Sequence, residues 1–247
     1  MLLIALLLLI TAGAVVVSCT KKVEDKEGKS QTVKPETKII VEMRVGGGWA
    51  PLLEEQITPD FRLYENGTVI YKKHLDPDQS KVEFKIACLT PKDISGLLKF
   101  IVEQGFLEMK DLYNGSVMDG LDITITVKTK GQSKTVRVEG FGVSVANLKN
   151  FEKIWKKLSE FDVPFAQKYE PKRITLFVSS PIEMDLKGIS PWPSILGFEP
   201  SGQKGKVILD GNDLEEAMKA MGNEVTKPFS YRGKGYFVTV KVHLPDG

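Results

Sequence analysis

The chain has 247 residues, of which 42% are hydrophobic and 27% are charged, with 34 lysines and arginines against 32 aspartates and glutamates. This composition excludes collagen-like, low-complexity and disulfide-scaffold proteins. The formal charge of +2 equals that of residues 20–38, which contain six lysines and four acids, so the rest of the chain is neutral. A neutral body lacks the basic surface of nucleic-acid-binding proteins, and the sequence therefore predicts no nucleic-acid partner.

The first 18 residues are almost wholly apolar, and residues 2–10 are typical of the centre of a signal peptide. Near the end of this segment, Val16-Val17-Ser18-Cys19 resembles the lipobox of prokaryotic lipoproteins. The resemblance implies that residues 1–18 are removed and that Cys19 carries fatty acyl chains such as palmitate. Such an anchor would hold the protein on the extracytoplasmic side of the cell membrane. Residues 19–38 would then form a flexible tether that reaches about 25 Å.

An uncleaved membrane anchor is the alternative for this segment. No lysine or arginine precedes the apolar stretch, whereas signal peptides normally begin with a basic residue. Either the true start lies upstream of Met1, or the segment is an uncleaved anchor. As a helix, the 18 residues before Cys19 would span about 27 Å, which is close to the bilayer thickness. Lys21 and Lys22 would then keep the body in the cytoplasm.

The sequence predicts no metal, no cofactor and no catalytic motif. If Cys19 is lipidated, Cys88 has no partner for an intramolecular disulfide, and its alternating surroundings predict a small buried residue in a strand. His74 and His243 lie far apart, and no spacing of histidines, cysteines and acids indicates zinc. Several aspartates lie where turns are expected, and no pair of them is forced together by its spacing: Asp60, Asp76, Asp78, Asp119 and Asp122.

Residues 39–166 are predicted to form an α+β domain in which two helices cover one face of an antiparallel sheet. Asn66-Gly67 between two alternating runs indicates a hairpin. Thr90 and Pro91 begin a helix that Gly105 ends, and Asp93 completes a capping box. The second helix is predicted at about 145–161, with a solvated lysine-rich outer face. The expected strands are 39–45, 60–64, 68–73, 82–89, 121–129 and 133–139.

Residues 167–247 are predicted to form a smaller α+β part that packs on the first, because its 81 residues would be only marginally stable alone. Residues 190–193 are expected to form a rigid turn. Asp210 is expected to begin a helix that extends to about Met221. The predicted strands are 173–179, 206–209 and 234–244.

Six short segments resemble a family of uncharacterised bacterial lipoproteins: 46–51 (GGGWAP), 61–71 (FRLYENGTVIY), 89–91 (LTP), 104–107 (QGFL), 192–193 (WP) and 244–246 (LPD). The chain departs from that family with Trp49 in place of phenylalanine and with residues 240–243 in place of a proline- and arginine-rich run. The first half also resembles emfourin, a bacterial inhibitor of thermolysin-type metallopeptidases, in its glycine-rich turn and its proline-capped helix. These resemblances imply the fold and the lipid anchor, and they assign no residue to inhibition.

The pattern as a whole predicts a non-catalytic binding or interaction module of the cell envelope. Its partner would be an envelope protein or a peptidase, and inhibition of a metallopeptidase is the sharper alternative. An enzyme is the third hypothesis, since a site can lack a local motif. Aromatic side chains on rigid turns make good binding anchors, so the candidate binding residues are Gly46, Gly47, Gly48, Trp49 and Trp192.

Overall fold

The computed structural model of the protein describes residues 38–47, 54–77, 80–115, 117, 120–142, 148–196, 199–200 and 205–245. The predicted signal peptide, Cys19, the tether up to residue 37, Gly48 and Trp49 lie outside these ranges. Within them the chain forms three α-helices and two mostly antiparallel sheets, which confirms the predicted α+β class. None of the helices in the described ranges is long and apolar enough to cross a membrane.

The strands are β1 (Ile39–Gly47), β2 (Phe61–Tyr64), β3 (Thr68–His74), β4 (Val82–Cys88), β5 (Leu112–Asn114), β6 (Leu121–Thr129), β7 (Gln132–Phe141), β8 (Gln167–Lys168), β9 (Arg173–Val178), β10 (Ser190–Pro191), β11 (Lys206–Asp210), β12 (Thr226–Tyr231) and β13 (Lys234–Val242). The helices are α1 (Pro91–Glu103), α2 (Lys149–Ser159) and α3 (Gly211–Met221). Short 3-10 turns occupy Glu54–Gln56, Phe106–Glu108 and Ser194–Leu196.

The first sheet has eight strands in the order β5-β7-β6-β1-β2-β3-β4-β8. The predicted hairpin joins β2 to β3, with Phe61 opposite Tyr71 and Leu63 opposite Val69. Gly67 closes its turn with a φ of +92°, a conformation that glycine adopts without strain. The sheet extends past Ala166, the predicted domain boundary, because β8 pairs with β4.

The helix α1 begins as its sequence predicts. The Asp93 amide donates to the Thr90 hydroxyl, and the Asp93 carboxylate accepts a bond from the Thr90 amide. The Thr90 hydroxyl also donates to the Asp93 carboxylate at 2.6 Å. This bond is the larger cause, and the bond from the Thr90 amide the smaller cause, of a pKa of Asp93 below its ordinary value. The cap satisfies amides that the first helical turn would otherwise leave unpaired.

Both α1 and α2 pack on one face of the first sheet and enclose its main core. Alternate strand residues face this core because successive side chains in a strand point to opposite sides. The strand residues Val41, Phe61, Leu63, Ile123, Ile125, Val127, Val136 and Val138 meet the helix residues Leu97, Ile101, Phe151, Ile154 and Leu158. The outer face of α2 is exposed and carries Lys149, Lys153, Lys156 and Lys157, as expected.

The second sheet has five strands in the order β10-β12-β13-β9-β11. Its apolar face and the helix α3 share a cluster with Tyr64 and Ile70, which lie on the face of the first sheet that the helices leave free. A bulge in β1 turns Ile39 toward this second cluster while Ile40 packs on the first. Residues from both parts of the chain are therefore buried together.

Several local predictions are wrong. Residues 190–191 form a short strand parallel to β12 rather than part of a turn. Leu121, expected on the inner face of β6, is 39% exposed because it lies at the end of the strand. The helix α2 is shorter than predicted and ends at Ser159, while residues 143–147 lie outside the described ranges. The helix α3 follows Asp210 and ends at Met221 as predicted, but the Asp210 side chain makes no capping bond to it.

Candidate functional site

Of the predicted glycine-rich binding site, the structure describes Gly46 and Gly47, which are the last two residues of β1. Gly47 has a φ of +80°, and a Cβ there would lie 2.8 Å from the Asp122 amide nitrogen and from the Gly120 carbonyl oxygen. The adjacent pocket has a volume of only about 80 Å³. Sites for organic ligands usually enclose about 300–1,000 Å³, so this pocket is too small for one. Its lining residues are Arg44, Gly46, Gly47, Ile57, Asp122, Thr124 and Arg137.

Close backbone packing explains the glycines at this end of the sheet. A Cβ on Gly115 would lie 2.1 Å from the Gly140 carbonyl oxygen, and one on Gly120 would lie 2.6 Å from the Gly140 carbonyl carbon. The Gly140 amide of β7 donates to the Asp122 carboxylate of β6 at 3.0 Å, which holds the end of β7 against the start of β6. These glycines therefore allow main chains to touch, which is a structural role.

Trp192 lies on the other sheet, away from the glycines. Its ring is half-buried and makes edge contacts with Phe229 at 6.0 Å and with Tyr236 at 6.1 Å between ring centres. Its amide donates to the Ser230 carbonyl at 2.8 Å, which continues the pairing of β10 with β12. Trp192 is thus part of the rim of the second apolar cluster, and it does not line the pocket beside Gly47.

The prediction that Cys88 is buried is wrong. Cys88 is exposed at the end of β4, beyond Phe84 and Ile86, which share its face and pack on the second cluster. Cys88 is also disulfide-bonded, and no cysteine in the described part of the chain is free. The only other cysteine in the sequence, Cys19, lies outside that part.

The histidines and the aspartates have separate structural surroundings. His74 is exposed, and the His243 ring is hydrogen-bonded to the Thr175 hydroxyl at 2.7 Å. Asp60 pairs with Lys72 and accepts from the Val45 amide at 2.8 Å. Two further predicted acids, Asp78 and Asp119, lie outside the residues that the structure describes. Among the described side chains, no three histidines, cysteines or acids form a group that could hold a metal ion.

The structure brings together a different site, a groove of about 360 Å³ between the two sheets. The start of β4 and the segment from β8 to Pro171 form one wall, and α3 with the turn after it forms the other. The Val82 amide donates to the Asn223 carbonyl at 2.9 Å, which joins the two walls by their main chains. The apolar lining consists of Val82, Phe84, Tyr169, Pro171, Leu214, Met218, Val225, Val240 and Val242.

Tyr169 fixes the position of the wall that follows β8. Its amide donates to the Phe84 carbonyl at 2.7 Å, and its hydroxyl donates to the His243 carbonyl at 3.1 Å. These bonds connect the first sheet to the end of β13, so the wall is held from both sides. Such fixed walls favour binding because less conformational entropy is lost when a ligand is immobilised.

The rim of the groove has more acids than bases. It consists of four glutamates and two lysines, namely Glu83, Glu170, Glu215, Glu224, Lys168 and Lys219. Glu83 pairs with Lys85 at 2.6 Å, and Glu170 pairs with Lys168 at 3.4 Å. Glu224 pairs with Lys227 at 3.4 Å. Lys85 and Lys227 lie outside the lining and offset two of its acids, so the acidic excess belongs to the lining itself and not to its surroundings. The groove presents an apolar floor with glutamates at its edge, which suits a ligand that is partly apolar and carries a basic group.

No short motif in the sequence indicates this groove. Its residues come from four segments, 82–84, 168–171, 214–225 and 240–242, which only the packing of the two sheets brings together. Met218 belongs to the apolar stripe of α3, and only the structure shows that it stays half-buried while Leu214 and Ala217 are buried. No known protein-family model matches the chain, and no curated protein is significantly similar to it.

Proposed function

We propose that the protein is a lipid-anchored lipoprotein of the cell envelope whose body binds a ligand or partner in the groove between the two sheets, without catalysing a reaction. The groove is the observation that supports binding. Its volume of about 360 Å³ lies within the usual range for ligand sites, and it occupies the junction of two packed units, where such sites are common. The lipobox-like Val16-Val17-Ser18-Cys19 supports the anchor.

The ligand best suited to this groove carries both apolar and basic groups. Phe84, Tyr169 and Met218 offer an apolar floor, and the edge has four glutamates against two lysines. Complementary charge contributes mainly to specificity and association rate, while burial of apolar area contributes to affinity. A peptide segment with lysine and aromatic side chains meets both requirements.

A titration with short peptides tests this site. In the full-length chain labelled with ¹³C at the methionine methyl groups, we expect a Lys/Phe peptide to shift the Met218 signal, because Met218 lines the groove. A Glu/Phe peptide of the same length should bind at least about tenfold more weakly, since the acidic edge repels it. Met43 is buried in the main core and serves as an internal reference.

Two charge reversals provide the matched control. Glu215→Lys, at the edge of the groove, should weaken binding of the Lys/Phe peptide, whereas Glu152→Lys on the exposed face of α2 should leave it unchanged. An unchanged Met218 signal with both peptides would contradict the proposed site. Tighter binding of the Glu/Phe peptide would contradict the proposed ligand class.

The mass of the protein isolated from membranes tests the anchor. We expect a chain that lacks residues 1–18 and carries acyl groups at Cys19. The sequence has two cysteines, so an intramolecular disulfide at Cys88 and a lipid thioether at Cys19 exclude each other. The proposed anchor therefore requires that the lipidated chain lacks the disulfide that Cys88 forms in the structure. After unfolding without a reductant, the Cys88 thiol of the lipidated chain should therefore react with a maleimide.

An unprocessed mass without lipid would overturn the anchor and favour the uncleaved membrane helix. A processed chain in which Cys88 stays unreactive until a reductant is added, with no acyl groups, would also contradict it. Neither outcome affects the groove, because the peptide titration reports on the body alone.

A further inference from the structure

The strand β11 (Lys206–Asp210) is an open edge of the second sheet. It is the last strand in that sheet, and in the described part of the chain β9 is its only strand partner. The other edge strands of the two sheets, β5, β8 and β10, have only two or three residues each, and β10 includes Pro191. Short strands and prolines protect sheet edges from pairing with other chains. With five residues, β11 offers the longest edge to a further strand.

Half of the main-chain groups of β11 point away from the sheet. The Gly205 carbonyl accepts from the Val178 amide at 2.9 Å, so Gly205 points toward β9. Because main-chain groups alternate in direction along an antiparallel strand, those of Val207 and Leu209 also point toward β9. The amides and carbonyls of Lys206 and Ile208 therefore point outward, where a neighbouring strand can bind them.

The side chains on this edge form an exposed row. Lys206, Ile208 and Asp210 are exposed, whereas Val207 and Leu209 between them are half-buried. Ile208 is 57% exposed, although it is a large apolar residue at the centre of a strand. Covering such a side chain with a neighbouring strand is favourable because apolar area is removed from water.

The row carries one charge of each sign at its two ends. The Asp210 side chain makes no capping bond, and it has no salt bridge to any residue that the structure describes. The Lys206 amine lies 4.0 Å from the Glu55 carboxylate, and both side chains are more than half exposed. Exposed ion pairs contribute little stability, so Lys206 can exchange Glu55 for a closer carboxylate at small cost.

We propose that β11 pairs antiparallel with β11 of a second copy of this chain, across a twofold axis at Ile208. In this register each Ile208 lies opposite the other, and each Lys206 lies opposite an Asp210, because the strand is self-complementary. Opposite charges across two strands stabilise the pair, and like charges destabilise it. A parallel pairing in register would oppose Lys206 to Lys206, so the charges favour the antiparallel arrangement. No residue of β11 lines the groove, so the pairing leaves the groove open.

The contact is small, and we therefore expect a weak dimer. One pair of five-residue strands buries less than the roughly 1,200–2,000 Å² of a stable protein interface. A disulfide can trap such a dimer. Residues directly opposite each other in a hydrogen-bonded pair have Cα atoms about 5.5 Å apart, which is the separation that a disulfide bridges.

Disulfide trapping at the twofold axis tests the proposal. In the full-length Ile208→Cys variant, mild oxidation should join two copies through position 208, and peptide mapping by mass spectrometry distinguishes this bond from those of Cys19 and Cys88. Leu112→Cys is the matched control, because Leu112 is 50% exposed on the edge strand β5. The bond between two copies should be at least about tenfold more abundant at position 208 than at position 112, since only the former is held in the required geometry.

Two outcomes of the trapping would overturn the proposal. Equal yields at the two positions would show random collision of exposed thiols. A variant that forms no bond between two copies at position 208 would show that β11 does not meet itself, whether the chain is monomeric or associates through another surface.

An exchange of charges tests the register. In the Ile208→Cys background, Lys206→Asp should lower the yield of the bond at position 208 about tenfold, since two attractive pairs become repulsive. Adding Asp210→Lys should restore the yield, because opposite charges face each other again. Both residues are exposed, so these substitutions do not disturb the core. An unchanged yield with Lys206→Asp, or no recovery in the double variant, would contradict the pairing of Lys206 with Asp210.

Discussion

Replacing Gly115 by alanine is expected to destabilise the protein by about 3 kcal/mol, at the upper end of the range for overpacking. The added Cβ would lie 2.1 Å from the Gly140 carbonyl oxygen and 2.7 Å from the Glu139 carbonyl oxygen. Both obstacles are main-chain atoms, so no side-chain rotation can relieve the clash. The segment must separate from β7, which breaks the 2.6 Å bond from the Gly115 amide to the Glu139 carbonyl.

Thermal unfolding of the full-length chain measures this effect. For a protein of this size a loss of about 3 kcal/mol corresponds to a fall in Tm of roughly 6–12 °C. Gly96→Ala is the matched control, because a Cβ on Gly96 in α1 meets nothing within 4 Å. That substitution should stabilise the protein by about 0.5–1 kcal/mol through helix propensity. A Tm for Gly115→Ala equal to that of the wild type would contradict the close contact between Gly115 and the main chain of β7.

Truncation of Ile70 to alanine is the second change with a large expected effect, a loss of about 2–5 kcal/mol. Ile70 is 0% exposed and belongs to the cluster that the first sheet shares with β9, β13 and α3. The cavity left by the lost side-chain atoms would therefore lie at the junction of the two sheets, in the same cluster as Leu214, Val240 and Val242, which line the groove. We expect amide exchange to accelerate more in β9 and β13 than in β6 and β7.

Ile123→Ala provides the comparison, because Ile123 is equally buried but lies in the core beneath the helices. Its truncation should accelerate exchange more in β6 and β7. Hydrogen exchange followed by mass spectrometry measures both variants in the full-length chain. If the two variants gave the same pattern, Ile70 would have no particular role in joining the second sheet to the first.

The local elements of the first half were predictable because their signals lie within a few neighbouring residues. The capping box of Thr90 and Asp93 and the Asn66-Gly67 turn satisfy nearby backbone groups, so they act independently of the rest of the fold. Strands without such signals were missed. β12 contains Pro228 and few alternating apolar residues, and it is a strand because β13 pairs with it along six residues.

Burial at the ends of strands could not be predicted from alternation. Cys88 ends β4 and Leu121 begins β6, and both continue the apolar pattern of their strands. Both are exposed because the covering layer does not extend over these terminal residues. Trp192 was a plausible binding anchor by its position between two prolines. Its contacts with Phe229 and Tyr236 place it in the rim of an apolar cluster, which its neighbours along the chain do not indicate, and its role in binding stays a prediction.

The sequence by itself determined the α+β class, the hairpin, the helix cap and the lysine-rich face of α2, since periodicity and capping depend on residues that are close along the chain. Only the tertiary structure decided where the candidate sites lie. The groove combines β4, α3 and β13. Contacts between residues so distant in sequence depend on how the two sheets pack, and no local pattern encodes that arrangement.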